Sequence, residues 1–143
     1  LDLFCGIGNF TLPLARRAAE VLGIEGSADL VRRAGDNAAA NGLGNVTFLQ
    51  RDLAEPDPSE RWLQAGWDRV LLDPARPGAE ALARHFAVRP PRRLVYVSCH
   101  PGTLARDAGT LTAAGRLQLS AAGVLDMFPH TSHMESVAVF DKV

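Results

Sequence analysis

Leu1-Asp2-Leu3-Phe4-Cys5-Gly6-Ile7-Gly8-Asn9-Phe10 is the stretch whose reading decides the fold. Leu1 to Phe4 read as a short strand, and Gly6 and Gly8 permit a tight turn with a close backbone approach. A helix is expected to follow through Phe10, Leu14 and Ala18. A strand that empties into a glycine turn and a helix is a nucleotide-binding device, because bare amides and a helix N-terminus meet polar ligand groups. Thr11 stands where the dinucleotide pattern wants its third glycine, which argues against a pyrophosphate. Asp2 near the strand start and Phe10 after the turn suit S-adenosylmethionine better. An ordinary α/β turn is the plainer alternative.

Outward from that turn, strand and helix alternate five times. Val21-Leu22-Gly23-Ile24-Glu25-Gly26 reads as the second strand, with Glu25 at its C-terminal end. A carboxylate there can accept both hydroxyls of a ribose, or simply face solvent. Ser27 or Asp29 caps the next helix, whose Leu30, Ala34, Asn37 and Ala38 keep helical period until Asn41-Gly42 closes it. Val46 to Leu49 form strand three, and Asp52 just beyond it either accepts from an adenine amino group or caps a helix. A short helix is expected from Glu60 to Ala65, with Trp62 and Trp67 as core or sheet-edge residues.

Asp68 to Leu72 read as strand four, ending in Asp73-Pro74-Ala75-Arg76-Pro77-Gly78. An apolar strand that terminates in an acid and then prolines aims polar groups into the crevice above a sheet, which makes Asp73 a site candidate. Arg76 pairs either with a phosphate or with Asp73. A helix follows from Ala79 to Val88, where His85 reads as a satisfied packing histidine. Leu94 to Val97 are strand five. Leu104, Ala108 and Leu111 mark one face of the helix after it, Leu117 to Leu119 begin a sixth extended segment, and Val137 to Phe140 form a last, antiparallel strand. The alternation predicts a right-handed, open, mostly parallel α/β sheet whose strand ends converge on one crevice.

Cys99 is the strongest candidate for the chemistry. It follows a buried strand and precedes a proline that pre-forms a helix start, where amides and dipole favour a thiolate. The competing reading is a small buried cysteine. Cys5 faces the cofactor turn, where a small neutral side chain suffices. Glu135 is the only acid between Asp126 and Asp141, is read as lying in the polar loop before the last strand, and is the candidate general base, its carboxyl raised by partial burial. The plainer reading makes it a loop acid paired with His133. His130 and His133 lack a third ligand at useful spacing, so no metal site is expected.

The 143 residues suit one domain with a real core, and a net charge of -1 argues against a chain that binds nucleic acid by electrostatics alone. All but one of the 15 basic residues are arginine, which reflects genome composition as easily as function. Two cysteines can build neither a four-thiolate metal site nor a secreted disulfide framework. No membrane span or signal peptide is visible, and a cytoplasmic protein is expected. The chain starts inside a strand without methionine and is read as the catalytic domain of a longer protein, occupying 1–143.

Four ordered motifs resemble the RNA uracil-5 methyltransferases over nearly the whole chain. They are Asp2 to Phe10, Asp73-Pro74-Ala75-Arg76, Tyr96-Val97-Ser98-Cys99-His100-Pro101 through Asp107, and Asp126 through Ser136. The second half looks most like the subgroup that modifies 23S ribosomal RNA at uracil 1939. The resemblance implies a Rossmann-like class I fold dependent on S-adenosylmethionine. It further implies Cys99 as nucleophile at uracil carbon 6 and Glu135 as the base at carbon 5. Gly6 and Gly8 would hold the methionine portion, with Asp2 and Phe4 in the same turn, Glu25 the ribose, Asp52 the adenine side, and Asp73 the place where cofactor and uracil meet. The implied partner is 23S ribosomal RNA, with transfer RNA as the alternative and no obligate protein partner. The chain departs from the family pattern at His100, more often asparagine, and at Ala75, often a second proline. RNA-binding, central and 4Fe–4S cluster regions are expected upstream and not in this chain.

Overall fold

Apolar residues alternating with half-covered ones set the strands, and small residues on the facing helices let those strands be covered. The computed structural model describes residues 1–131 and 133–143, in two compact units, Leu1–Leu53 and Ala54–Val143. None of the described helices is long and apolar enough to cross a membrane.

The first unit holds β1 (Asp2–Leu3), α1 (Thr11–Ala15), β2 (Val21–Glu25), α2 (Ala28–Ala40) and β3 (Val46–Gln50). Its strands are parallel in the order β3-β2-β1, with Leu3 level with Ile24 and Glu25 level with Gln50. Leu3, Ile24 and Ala34 are wholly buried, and Ala38 nearly so. Ser27 caps α2 by accepting from the Leu30 amide at 3.4 Å, as the sequence suggested. Helix α1 is shorter than expected, ending at Ala15 instead of running through Ala18. The reason is Asn45, whose side-chain amide donates to the Ala15 carbonyl at 2.8 Å and the Ala18 carbonyl at 3.0 Å. Carbonyls satisfied from outside need no further helical turn.

The second unit holds α3 (Arg61–Gln64), β4 (Arg69–Leu72), α4 (Glu80–Val88), β5 (Arg93–Ser98), α5 (Pro101–Thr112), β6 (Leu117–Leu125) and β7 (Glu135–Lys142). Strand order is β4-β5-β7-β6; β4 and β5 are parallel, and β7 runs against both neighbours. Leu94, Tyr96 and Ser98 point one way from β5 and stand opposite Phe140, Ala138 and Ser136 of β7. All six are buried, and the pairing of Tyr96 with Ala138 sets a large side chain beside a small one. Each large apolar side chain fully buried in this way contributes about 1.5–3 kcal/mol. Trp62 is buried, as expected, and Trp67 donates to its carbonyl at 2.7 Å. His85 packs edge-on against Phe86 with ring centroids 5.2 Å apart.

Candidate active site

In the first unit the turn is built by its own backbone. The Cys5 amide donates to the Ile24 carbonyl at 3.1 Å, and the Gly8 amide to the Cys5 carbonyl at 2.9 Å. Phe4 adopts φ 64° and Gly8 φ 91°, left-handed conformations that bend the chain away from β1. For Phe4 that costs energy and is held by the surrounding bonds. The left-handed φ at Gly8 strains any side chain there, and an added Cβ would also press on Leu12.

Glu25 ties the device together. One carboxylate oxygen accepts from the Gly6 amide at 3.1 Å, and the other from the Ser27 amide at 3.1 Å. Each oxygen keeps a second lone-pair site for a ligand hydroxyl. A Cβ at Gly6 would meet nothing within 4 Å, which leaves open space beside that carboxylate. Asn37 donates to the Ile7 carbonyl at 3.0 Å and steadies the outer limb, which makes it a turn contact. Asp52 is exposed two residues beyond β3. Asp2 has no exposed surface, and Thr11 donates to it at 2.5 Å; the pair lies beneath the turn. A groove of about 360 Å³ flanks the turn on the side of Leu12, Arg16, Asn37 and Asn41, without Glu25 or Asp52 in its wall.

In the second unit three candidate residues leave the strands at one end. Leu72 of β4 is level with Tyr96, so Asp73 emerges while β5 continues through Ser98. Ser98 is directly opposite Ser136, and Cys99 and Glu135 are the next residues on the two strands' chains. Glu135 is the first residue of β7, paired with Leu125, and not part of the preceding loop as expected. The pairing extends to it because β6 runs as far as Leu125 and supplies a partner. Its carboxylate lies 3.2 Å from His133 Nε2, so the pair anticipated for a simple loop acid is present. Burial, and then the charge of Glu135, push the Asp73 carboxyl above its ordinary value.

Cys99 is a half-buried free thiol in the turn before α5. His100 is the N-cap, with Nδ1 accepting from the Thr103 amide at 3.2 Å, and Pro101 occupies the first helical position. Ser98 fixes the turn by accepting from the His100 amide at 3.0 Å and donating to its carbonyl at 3.1 Å. Cys5 is different in kind: burial, with Asp2 and Glu25 adding, pushes its thiol up to about 12. Among the described residues Arg76 and Asp73 form no ion pair, and no group of His, Cys, Asp and Glu could hold a metal.

The sequence reading singled out neither Tyr96 nor Asp107. Asp107 is wholly buried on the stripe of α5 that also carries Leu104 and Leu111. An acid on the apolar face of a helix was the available signal.

A family described as a methyltransferase domain matches residues 1–87, and the family tRNA (Uracil-5-)-methyltransferase matches residues 63–143. The chain is 55% identical over 142 residues to the 23S rRNA (uracil(1939)-C(5))-methyltransferase RlmD of Stenotrophomonas maltophilia. It is 57% identical to the protein of that name in Alkalilimnicola ehrlichii. Each match takes in 99% of this chain and 32% of the relative, so the chain spans about a third of the length of those curated relatives. Among solved structures, Pyrococcus abyssi tRNA (uracil-54, C5)-methyltransferase in complex with S-adenosyl-L-homocysteine superposes with a TM-score of 0.83 at 32% identity. That match covers 97% of this chain and 33% of the other. Magnesium protoporphyrin IX methyltransferase from Synechocystis, at 20% identity and TM-score 0.72, has the same fold.

Proposed function

The chain belongs to the tRNA (uracil-5-)-methyltransferase family, and from that premise we propose that the full-length protein methylates carbon 5 of a uridine in 23S ribosomal RNA, using S-adenosylmethionine. The observation that carries the reading is the β5–β7 register, in which Ser98 stands opposite Ser136, so that Cys99 and Glu135 are the next residues of the two chains at the same strand end.

The residues of the first unit fit the cofactor. An open surface at Gly6 suits a close ligand, and the Glu25 oxygens suit the two hydroxyls of a ribose. Asp52 is the candidate for the adenine side. Asp2 acts beneath the turn through Thr11 instead of by contact, and Phe4 acts through its left-handed backbone. Thr11, filling the third-glycine position of a dinucleotide fold, is buried in that same pair, which disfavours a pyrophosphate ligand.

The chemistry follows from the weakness of uracil carbon 5 as a nucleophile. The Cys99 sulfur adds to carbon 6, the carbon 5–carbon 6 double bond breaks, and the electron pair moves onto the carbon 4 oxygen as an enolate. S-adenosylmethionine, when bound, would supply an electrophilic methyl group; carbon 5 takes that methyl as its bond to the sulfonium sulfur breaks, and S-adenosylhomocysteine leaves. Glu135 then removes the proton from carbon 5, the double bond reforms, and Cys99 leaves as thiolate. A positioned base of this kind contributes roughly 10²–10⁴-fold. Asp73 is half-buried, and burial, with the charge of Glu135 adding, holds its carboxyl above the ordinary value. A ribosomal RNA substrate places the reaction in the cytoplasm.

The higher identity to enzymes named for 23S ribosomal RNA favours that substrate over transfer RNA. Mapping 5-methyluridine in RNA from cells lacking the gene tests the choice. Loss at one 23S position is expected; unchanged ribosomal RNA, with loss from transfer RNA instead, would overturn it.

A further inference from the structure

Behind the Asp73 loop lies a buried polar cluster that the reaction scheme above does not use. The Asp107 carboxylate has no exposed surface. One of its oxygens accepts from the Tyr96 hydroxyl at 2.6 Å and from the Ala79 amide at 2.8 Å. The other accepts from Arg106 Nε at 2.8 Å. Arg106 in turn donates to the Pro77 carbonyl at 2.9 Å, and Thr103 donates to the Arg76 carbonyl at 3.1 Å. Three consecutive anchor points of the loop, at residues 76, 77 and 79, are therefore gripped by α5 and β5.

The grip is close. A Cβ at Gly78 would stand 2.7 Å from both Arg106 Nη2 and Asp107 Oδ2, so the loop backbone lies directly on the cluster. The same helix starts in the turn that holds Cys99, and the same strand ends at Ser98, one residue before it. A buried carboxylate is costly unless fully bonded, and a core made only of apolar groups would pack at least as well. Packing alone thus gives no reason for an acid here, whereas holding the Ala79 amide and orienting Arg106 toward the Pro77 carbonyl does.

We propose that Asp107, acting through Tyr96 and Arg106, is a positioning residue for methyl transfer: it clamps the loop from Asp73 to Ala79 onto α5 and so fixes the Asp73 carboxyl relative to Cys99. The cluster touches no reacting atom. Its effect is on the geometry of the step in the second unit, where Asp73 is the place at which cofactor and uracil are expected to meet; the other candidate cofactor residues, Gly6, Gly8, Glu25 and Asp52, are in the first.

The inference rests on the methyl-transfer reading, and the test separates the two. Full-length wild-type enzyme, Tyr96→Phe, Thr103→Val and Thr103→Ser are compared in single-turnover methyl transfer to uridine-containing ribosomal RNA. Thermal midpoints and S-adenosylhomocysteine affinity are measured on the same samples. Tyr96→Phe keeps the ring and removes only the hydroxyl; it is expected to slow transfer by roughly tenfold or more, as small displacements of reacting groups do. Its S-adenosylhomocysteine Kd should stay within twofold of wild type. Thr103→Val, which leaves the buried core untouched, is expected to slow the same step to a lesser degree, and Thr103→Ser to restore it. Wild-type enzyme that transfers no methyl group would sink the underlying reading. Active wild type with both Tyr96→Phe and Thr103→Val equally fast would sink the clamp alone, as would a loss confined to the thermal midpoint.

Discussion

Cys5 and Cys99 show how far a residue's chemistry is set by its surroundings. Burial and two neighbouring carboxylates hold Cys5 as a thiol, whereas Cys99 is half-exposed in a turn. Iodoacetamide near pH 8 is expected to label Cys99 in the native protein and to reach Cys5 only in denaturant; equal native labelling of both would contradict this assignment. Asp73 carries a second prediction. Its folded carboxyl is raised above the ordinary 3.8 by burial and by Glu135, so the native state binds the proton more tightly than the unfolded chain. Stability must then fall as pH rises from about 4 through the raised value, with the penalty complete above it. Asp73→Asn should therefore melt higher than wild type at pH 7, and the gap should close near pH 4, as calorimetry can follow. Asp73 was legible as an acid at a strand end before proline. Asp107 was not, because its meaning depends on the amide of Ala79, 28 residues earlier.

At the scale of elements, local pattern was a good guide where one face is buried. Strand five from Leu94 to Val97, and the helical spacing from Leu30 to Ala38, were visible because burial enforces them. It failed where long-range backbone pairing decides. Strand β6 continues to Leu125 although every residue after Leu117 is exposed, since its ladder to β7 and not its side chains holds it. For the same reason Glu135 falls inside a strand, and for the reverse reason α1 stops early, at Asn45's instruction. The start of α5 gives a testable case. His100→Ala removes the acceptor for the Thr103 amide and is expected to cost about 1 kcal/mol in chemical denaturation, while His100→Asn, a good N-cap, should cost little. Equal losses for both substitutions would show that the cap is not what His100 contributes.

At the scale of the whole molecule, the chain joins a cofactor-type unit to a unit carrying a thiol and two acids, within about a third of its relatives' length. The motifs after Asp73 and Tyr96 made the family legible, but the register that sets Ser98 opposite Ser136 belongs to three-dimensional pairing. The central claim is that these two residues do separate jobs in one covalent cycle. If so, addition and methylation survive without the base, and only proton removal and release fail. The decisive measurement is denaturing electrophoresis of full-length Glu135→Gln and Cys99→Ala after incubation with ribosomal RNA and S-adenosylmethionine labelled in its methyl group. The account predicts a labelled RNA–protein adduct for Glu135→Gln, reduced by RNase to a small tag, and neither adduct nor methylated RNA for Cys99→Ala. Full turnover by Cys99→Ala, or near-normal turnover without adduct by Glu135→Gln, would contradict it.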